Sequence, residues 1–214
     1  MEFYEAVRRR TTAREWTPQD VEEDVLKRIL EAGLRAPSND HLRSWEFIVL
    51  RTEEEKENAL RFVREQAEKQ AETVRRRFAQ PAGERTAPVE AARQMYAYSV
   101  PRQYRMLREA PWVVIPFFRA APGVLKPEAV NHLNSFASVW CVVENMMLAA
   151  AAEGLAVSVR IPVGEEGPAV SRLLNVPAPY MMPCYLGLGH PAEDAPVLTQ
   201  NRPSLGDRIH RGEW

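Results

Sequence analysis

"VWCVVENMMLAAAAEGLAVSVR", residues 139–160, is the most apolar stretch of the chain. Glu144, Asn145 and Glu153 interrupt it, so the expectation is a buried helix running into a strand, not a membrane span. The helix is expected over 128–153 with Gly154 closing it, and the strand over 156–161. The run "SFASVWCVVENMMLAAAAEG" (135–154) is apolar almost all round, more than the single stripe of a surface helix. Such a helix needs cover on every face, from its own domain or from a second copy of the chain.

Working outward, "WVVIPFF" (112–118) reads as a buried strand whose Pro116 implies an edge position or a bulge. "WEFIVL" (45–50) reads as another strand, a short helix is expected over 165–174, and a final strand over 181–188. Upstream, Val21, Val25, Leu26, Ile29, Leu30 and Leu34 keep a helical stripe that Pro37 ends. That helix can start at Thr17 with Pro18 following, or at Asp20 with Glu23 completing a capping box. A short helix is expected over 2–10. A long charged helix fills 53 to about 78, "QPAGERTAP" (80–88) interrupts it, and a second helical stretch runs to about Leu107. Helices and strands interleave with too few regular βαβ units for a doubly wound sheet, so the class is an α+β sandwich in one domain, 1–214.

The totals narrow the function. Formal net charge is −1, so no whole-molecule field favours nucleic acid, and Arg75–Arg77 sit among glutamates as on a solvated helix face. Cys141 and Cys184 have no partner motif, which argues against a disulfide scaffold or a structural zinc. Cys184 reads as a small buried hydrophobe. The start carries Glu2 and Glu5 and no apolar run, so a cytoplasmic chain is expected, with no membrane partner. His41, His132, His190 and His210 show no metal-ligand spacing. "GLGHPA" (187–192) fits a dinucleotide fingerprint formally. Pro191 and the nearby C-terminus leave no room for the helix that such a site needs, so a turn ending a strand is expected. With no nucleophile elbow either, reactivity must come from a bound cofactor.

"RRRTTAREW" (8–16) sets arginine forks around two hydroxyls, the donors a phosphate or carboxylate requires. Together with "AGLRAPSNDHLRSWEFIVL" (32–50), "VVENMMLAAAAEGLAVSVRIPVG" (142–164) and the closing "LGLGHPAEDAP…NRPSLGDRIH", it resembles, in order and spacing, the nitroreductase-like flavoproteins. The resemblance runs along nearly the whole chain except 54–110. It implies a nitroreductase-like sandwich with a mostly antiparallel sheet flanked by helices, a homodimer, and FMN at the dimer interface.

By match of position, the resemblance assigns Arg10, Thr11, Thr12, Arg14 and Arg202 to the FMN phosphate; Arg8 and Arg9 fall outside it. Pro37, Ser38 and Asn39 would contact flavin from the partner subunit. "RIPVG" would face the isoalloxazine, with the N–H of Val163 or Gly164 near N5; Pro162 has no N–H to give. His41, Arg43 and Ser44 stand where the family has Asn, Gln and Pro. His41 and Arg43 can still bond ribityl or phosphate oxygens, but they enlarge that wall and add charge to it. Region 54–110 would supply a substrate lid, with Tyr96, Tyr98, Arg102, Tyr104 and Arg105 as candidates.

The implied activity is an FMN-dependent oxidoreductase in which NADH or NADPH reduces the flavin and the flavin reduces a small organic acceptor such as a nitroaromatic or quinone. Alternatives on the same scaffold are reductive dehalogenation, enoyl reduction, ring oxidation, or non-catalytic flavin storage or sensing. The C-terminal tail, with Val197, Leu198, Leu205, Ile209 and Trp214, is expected to pack against something, a second subunit being one option.

Overall fold

Seven apolar residues in a row make 112–118 a strand buried on both sides. The period of two then sends Trp112, Val114 and Phe118 to one face and Val113, Ile115 and Phe117 to the other. Helices cover both. The computed structural model describes residues 1–79, 87–196, 198 and 203–214. Its helices are α1 (Phe3–Arg9), α2 (Glu23–Leu34), α3 (Glu53–Ala79), α4 (Ala87–Ser99), α5 (Arg105–Arg108), α6 (Asn134–Ala152) and α7 (Glu166–Leu173). Its strands are β1 (Trp45–Leu50), β2 (Trp112–Arg119), β3 (Ala156–Arg160), β4 (Tyr180–Met181) and β5 (Tyr185–Gly189). The sheet runs β1-β2-β5-β3 with β4 also against β2, and every pairing between these strands is antiparallel. One face packs on α2 and α6, the other on α3, α5 and α7. The α+β sandwich with a mostly antiparallel sheet is the fold found.

α6 ends as its Gly154 requires. The Leu155 N–H reaches the Ala150 carbonyl at 2.8 Å and the Gly154 N–H that of Ala151 at 3.2 Å, while Gly154 takes φ +77°. This is a Schellman end, in which the left-handed residue satisfies two orphan carbonyls. The expected helix over 128–153 is shorter, with a 3-10 turn over Val130–Leu133 before α6.

Pro116 resolves toward the bulge. β2 is central, so the edge alternative fails. Four residues, Met182–Tyr185, stand opposite three, 115–117, which is a one-residue bulge. The expected strand over 181–188 is therefore β4 and β5, separated by that bulge. Cys184 lies in it and is fully buried, its thiol pushed far up by desolvation.

Neither expected cap starts α2. The Thr17 hydroxyl accepts the Gln19 N–H, and the Asp20 carboxylate accepts the Val21 N–H and pairs with Arg51 at 2.6 Å. The helix opens at Glu23 with no side-chain cap. Tertiary contact explains the shift: Val21 is buried, and its carbonyl accepts the Trp112 indole N–H at 2.8 Å.

"GLGHPA" is no nucleotide loop. Gly187 and Gly189 both lie in β5, where neighbours come too near for a side chain. A Cβ on Gly187 would stand 3.0 Å from the Met106 carbonyl oxygen, and one on Gly189 2.7 Å from Pro111 Cδ.

Candidate functional site

The stretch 10–14 runs along the free edge of β3. Thr12 forms a parallel bridge with Val157, and the Ala13 N–H donates to the Val157 carbonyl at 3.2 Å. This backbone tie displays the side chains beside the strand. The Arg14 guanidinium donates to the Thr12 carbonyl at 3.0 Å and is half-buried, which lowers its pKa. Arg10 forms no ion pair with any described residue, whereas neighbouring Arg9 pairs with Glu5 at 2.6 Å. Arg202 lies outside the described residues, as does Val197.

Just beyond the end of β3 comes the turn 161–164. Ile161 and Val163 are exposed, and Gly164 has φ +56° with no atom within 4 Å of a built Cβ. The Glu166 N–H bonds back to the Val163 carbonyl, but the N–H groups of Val163 and Gly164 have no acceptor among the described residues. They are free donors on an open, apolar surface.

The turn is pinned by a buried ion pair absent from the sequence reading. Arg160, the last residue of β3, and Glu166, the first of α7, meet at 2.5 Å with both side chains fully buried. Arg160 also donates to the Gln103 side chain. Burial pushes the Glu166 carboxyl up while the Arg160 charge pulls it down, and Tyr185 beside Glu166 is also raised. The only local signal is an arginine at an inward position of an apolar strand.

The third segment precedes β1. Ser38, Asn39, Arg43 and Ser44 line an open cleft of about 950 Å³. Asp40, His41 and Arg43, none of them glycine, take φ +51°, +51° and +43°. Such left-handed residues collect where structure is over-determined for a function. Side chains of α6 hold the loop: the Asn39 N–H donates to the Ser138 hydroxyl at 3.2 Å, and the Asn134 amide to the Asn39 side-chain oxygen at 3.0 Å. Pro37 and His41 do not line the cleft, although both are exposed.

These segments do not meet within the chain. Residues 10–14 and 161–164 sit at the β3 edge, and 38–43 leads into β1, the other end of the strand path. Three strand spacings of ~4.8 Å put the edges about 14 Å apart.

The lid candidates sit apart from the cleft. Tyr98 and Arg102 both bond Glu15, at 2.8 and 2.7 Å, and Arg102 also stacks over Tyr98. These bonds lower the Glu15 carboxyl below its usual range. Arg105 pairs with Glu109, Tyr104 packs on the α3-side core, and Tyr96 is exposed. No described residue of 54–110 lines the cleft, and within the single chain these side chains tie the helical region to the body. The tail is likewise uncovered within the chain: Leu205, Ile209 and Trp214 are exposed, and Trp214 stacks on His210.

With this geometry in place, comparisons with known proteins converge. Iodotyrosine deiodinase of Nematostella vectensis is 26% identical over 205 residues, 95% of this chain and 72% of that protein. The Daphnia pulex iodotyrosine deiodinase is 25% identical over 206 residues, 96% of this chain, which spans only 64% of its length. Iodotyrosine deiodinase bound to FMN and 3-iodo-L-tyrosine shares the fold with TM-score 0.69 at 21% identity, over 95% of this chain and 97% of that one. So does a variant of an FMN- and NADPH-dependent nitroreductase from sphigopyxis sp. strain HMH, with TM-score 0.70, 23% identity and 100% of both chains covered. The model of the nitroreductase family matches residues 7–190, most of the sandwich, and the chain belongs to that family.

Proposed function

We propose that this chain, as a single domain, is an FMN-dependent oxidoreductase acting as a homodimer, with NADH or NADPH as reductant and a small organic molecule as acceptor. The observation that carries the reading is the split of the expected binding groups between opposite edges of one sheet. In a twofold dimer the β3 edge of one copy can face the 38–43 loop of the other, completing two equivalent sites. The described residues fit the group. Arg10, Thr11, Thr12 and Arg14 offer charge-assisted and hydroxyl donors for a phosphate, with Arg202 proposed to join them. The free N–H of Val163 or Gly164 would face the ring beside Pro162, and Pro37, Ser38, Asn39, His41 and Arg43 would supply the partner's wall. When bound, FMN would supply the electron and hydride chemistry that no side chain here provides.

Reductive dehalogenation is the second reading, favoured by the two deiodinase relatives. It exchanges an aryl iodide for hydrogen and releases iodide, consuming two electrons and a proton.

The purified protein is expected to be yellow or to take up FMN, and to bind FMN more tightly than riboflavin. Arg10→Ala should cost about 1.5–3 kcal/mol of FMN affinity, as for the loss of a charge-assisted bond. Equal binding of FMN and riboflavin would refute the phosphate assignment. Bleaching of the bound flavin by NADH or NADPH tests the reductant; reduction by dithionite alone would point to another donor or to storage. Reoxidation by a nitroaromatic against 3-iodo-L-tyrosine separates the two readings.

A further inference from the structure

The cleft before β1 has an apolar body. Trp45, Phe118, Val124, Leu125, Tyr180 and Met181 form its walls. Its charges are one-sided. Arg43, Arg119 and Lys126 line it, and none of the described aspartates or glutamates does. The nearest acids in sequence, Asp40, Glu46 and Glu128, are not among its walls. The chain as a whole holds 28 Lys and Arg against 29 Asp and Glu, so three cations without an acid is a local departure. Several cations elsewhere are paired, as in Arg28–Glu153, Arg51–Asp20, Arg102–Glu15 and Arg108–Glu53, although Arg10 is not. None of the cleft's three forms an ion pair with a described residue. The first turn of α6 contributes Asn134 and Ser135 to the same wall, adding the positive end of a 19-residue helix.

An apolar hollow with unpaired cations matches a ligand having an apolar body and an anionic end. Its volume falls within the range of small-molecule sites, ~300–1,000 Å³, and far exceeds what an inorganic ion needs. We propose that this cleft is the acceptor pocket and that it selects carboxylate-bearing aromatic acceptors, the anion held by Arg119 and Lys126 with Arg43. The assignment deepens the flavin reading and rests on it for the word acceptor, because the strained loop lining the cleft is the one proposed to meet the flavin. The binding preference itself is measured without turnover.

The test uses 4-nitrobenzoate and its neutral counterpart 4-nitrobenzyl alcohol, titrated by calorimetry into the full chain with and without FMN. The wild type should bind the carboxylate at least about tenfold more tightly at low salt, ~1.4 kcal/mol, with the margin shrinking as salt rises. The exposed pair Arg119→Gln and Lys126→Gln, made together, should cut that margin to under about threefold while leaving the preference for FMN over riboflavin intact. Equal binding of the two ligands by the wild type overturns the proposal, as does a margin that survives in the double variant. Loss of the FMN preference in that variant also overturns it, since the cations would then serve the cofactor's phosphate. A protein that takes up no FMN yet keeps the carboxylate margin would retain the anion-selecting cleft and reject the flavin reading.

Discussion

The two faces of the sheet share one period and differ in chemistry. On the α6 side the buried groups are almost wholly apolar, with Val142, Val143 and Met146 under α2. On the α3 side the same packing takes in charge: Lys56 is buried and donates to the Ala110 carbonyl at 2.6 Å, and Arg160 pairs with Glu166. Outside, the order reverses. α3 shows water a lattice of ion pairs, such as Glu72 with Arg75 and Arg76. α6 shows Phe136, Ala137 and Cys141, with Glu144 its only charge. A layer that is charged outside can end in water, whereas an apolar outer face calls for a cover, which in the proposed dimer a second copy of α6 would supply. α6 with the preceding turn is long and apolar enough to cross a membrane by length and composition, but seven residues of α6 are committed to the core.

The comparison breaks most visibly at the buried pair. Arg160→Ala leaves Glu166 uncompensated in the α3-side core and should cost about 3–5 kcal/mol in denaturant unfolding. A loss under about 1 kcal/mol would show that water reaches the pair. Next come the apolar stripes, which the shared period makes equal. Met146→Ala on α6 and Leu60→Ala on α3, both fully buried, should each cost about 2–5 kcal/mol. A much smaller loss at Leu60 would mark α3 as loosely docked.

The outer faces should differ in assembly. Cys141→Arg, at an exposed position of α6, should turn a dimer into a folded monomer by sedimentation, while Glu68→Arg on α3 changes nothing. A wild-type monomer with full flavin occupancy would remove the shared site. The smallest effect lies where the helical region meets the N-terminal strip. Arg102 and Tyr98 depress the Glu15 pKa, so the stability it contributes is present above the usual glutamate pKa and disappears as pH falls through the folded value. Glu15→Gln should therefore cost up to about 1 kcal/mol at neutral pH, and the gap to wild type should close in acid.

Legibility followed the range of the interaction. The Gly154 stop and the double-sided strand 112–118 were readable because neighbours in sequence set them, whereas at Pro116 the sequence left edge and bulge open and the extra residue lies in the facing segment, 182–185. The start of α2 was not, because Trp112 draws Val21 out of the helix from 91 residues away. Of the candidate site, Arg10–Arg14 stood out as a donor-rich segment, while the 38–43 loop and the 161–164 turn entered through the family resemblance. For Tyr98 and Arg102 the resemblance implies a lid, and within the single chain both are bonded to Glu15.

By itself the sequence determined most of the elements, the apolar periods and the family resemblance, all of which depend on residue order within short windows. Only the tertiary structure decided that the two donor sets stand at opposite edges of one sheet, that Arg160 and Glu166 pair in the core, and that three cations share a cleft without an acid. Each of these joins groups through strand order or chain crossing. Charges so gathered act through distance and burial, and neither is a property of spacing along the chain.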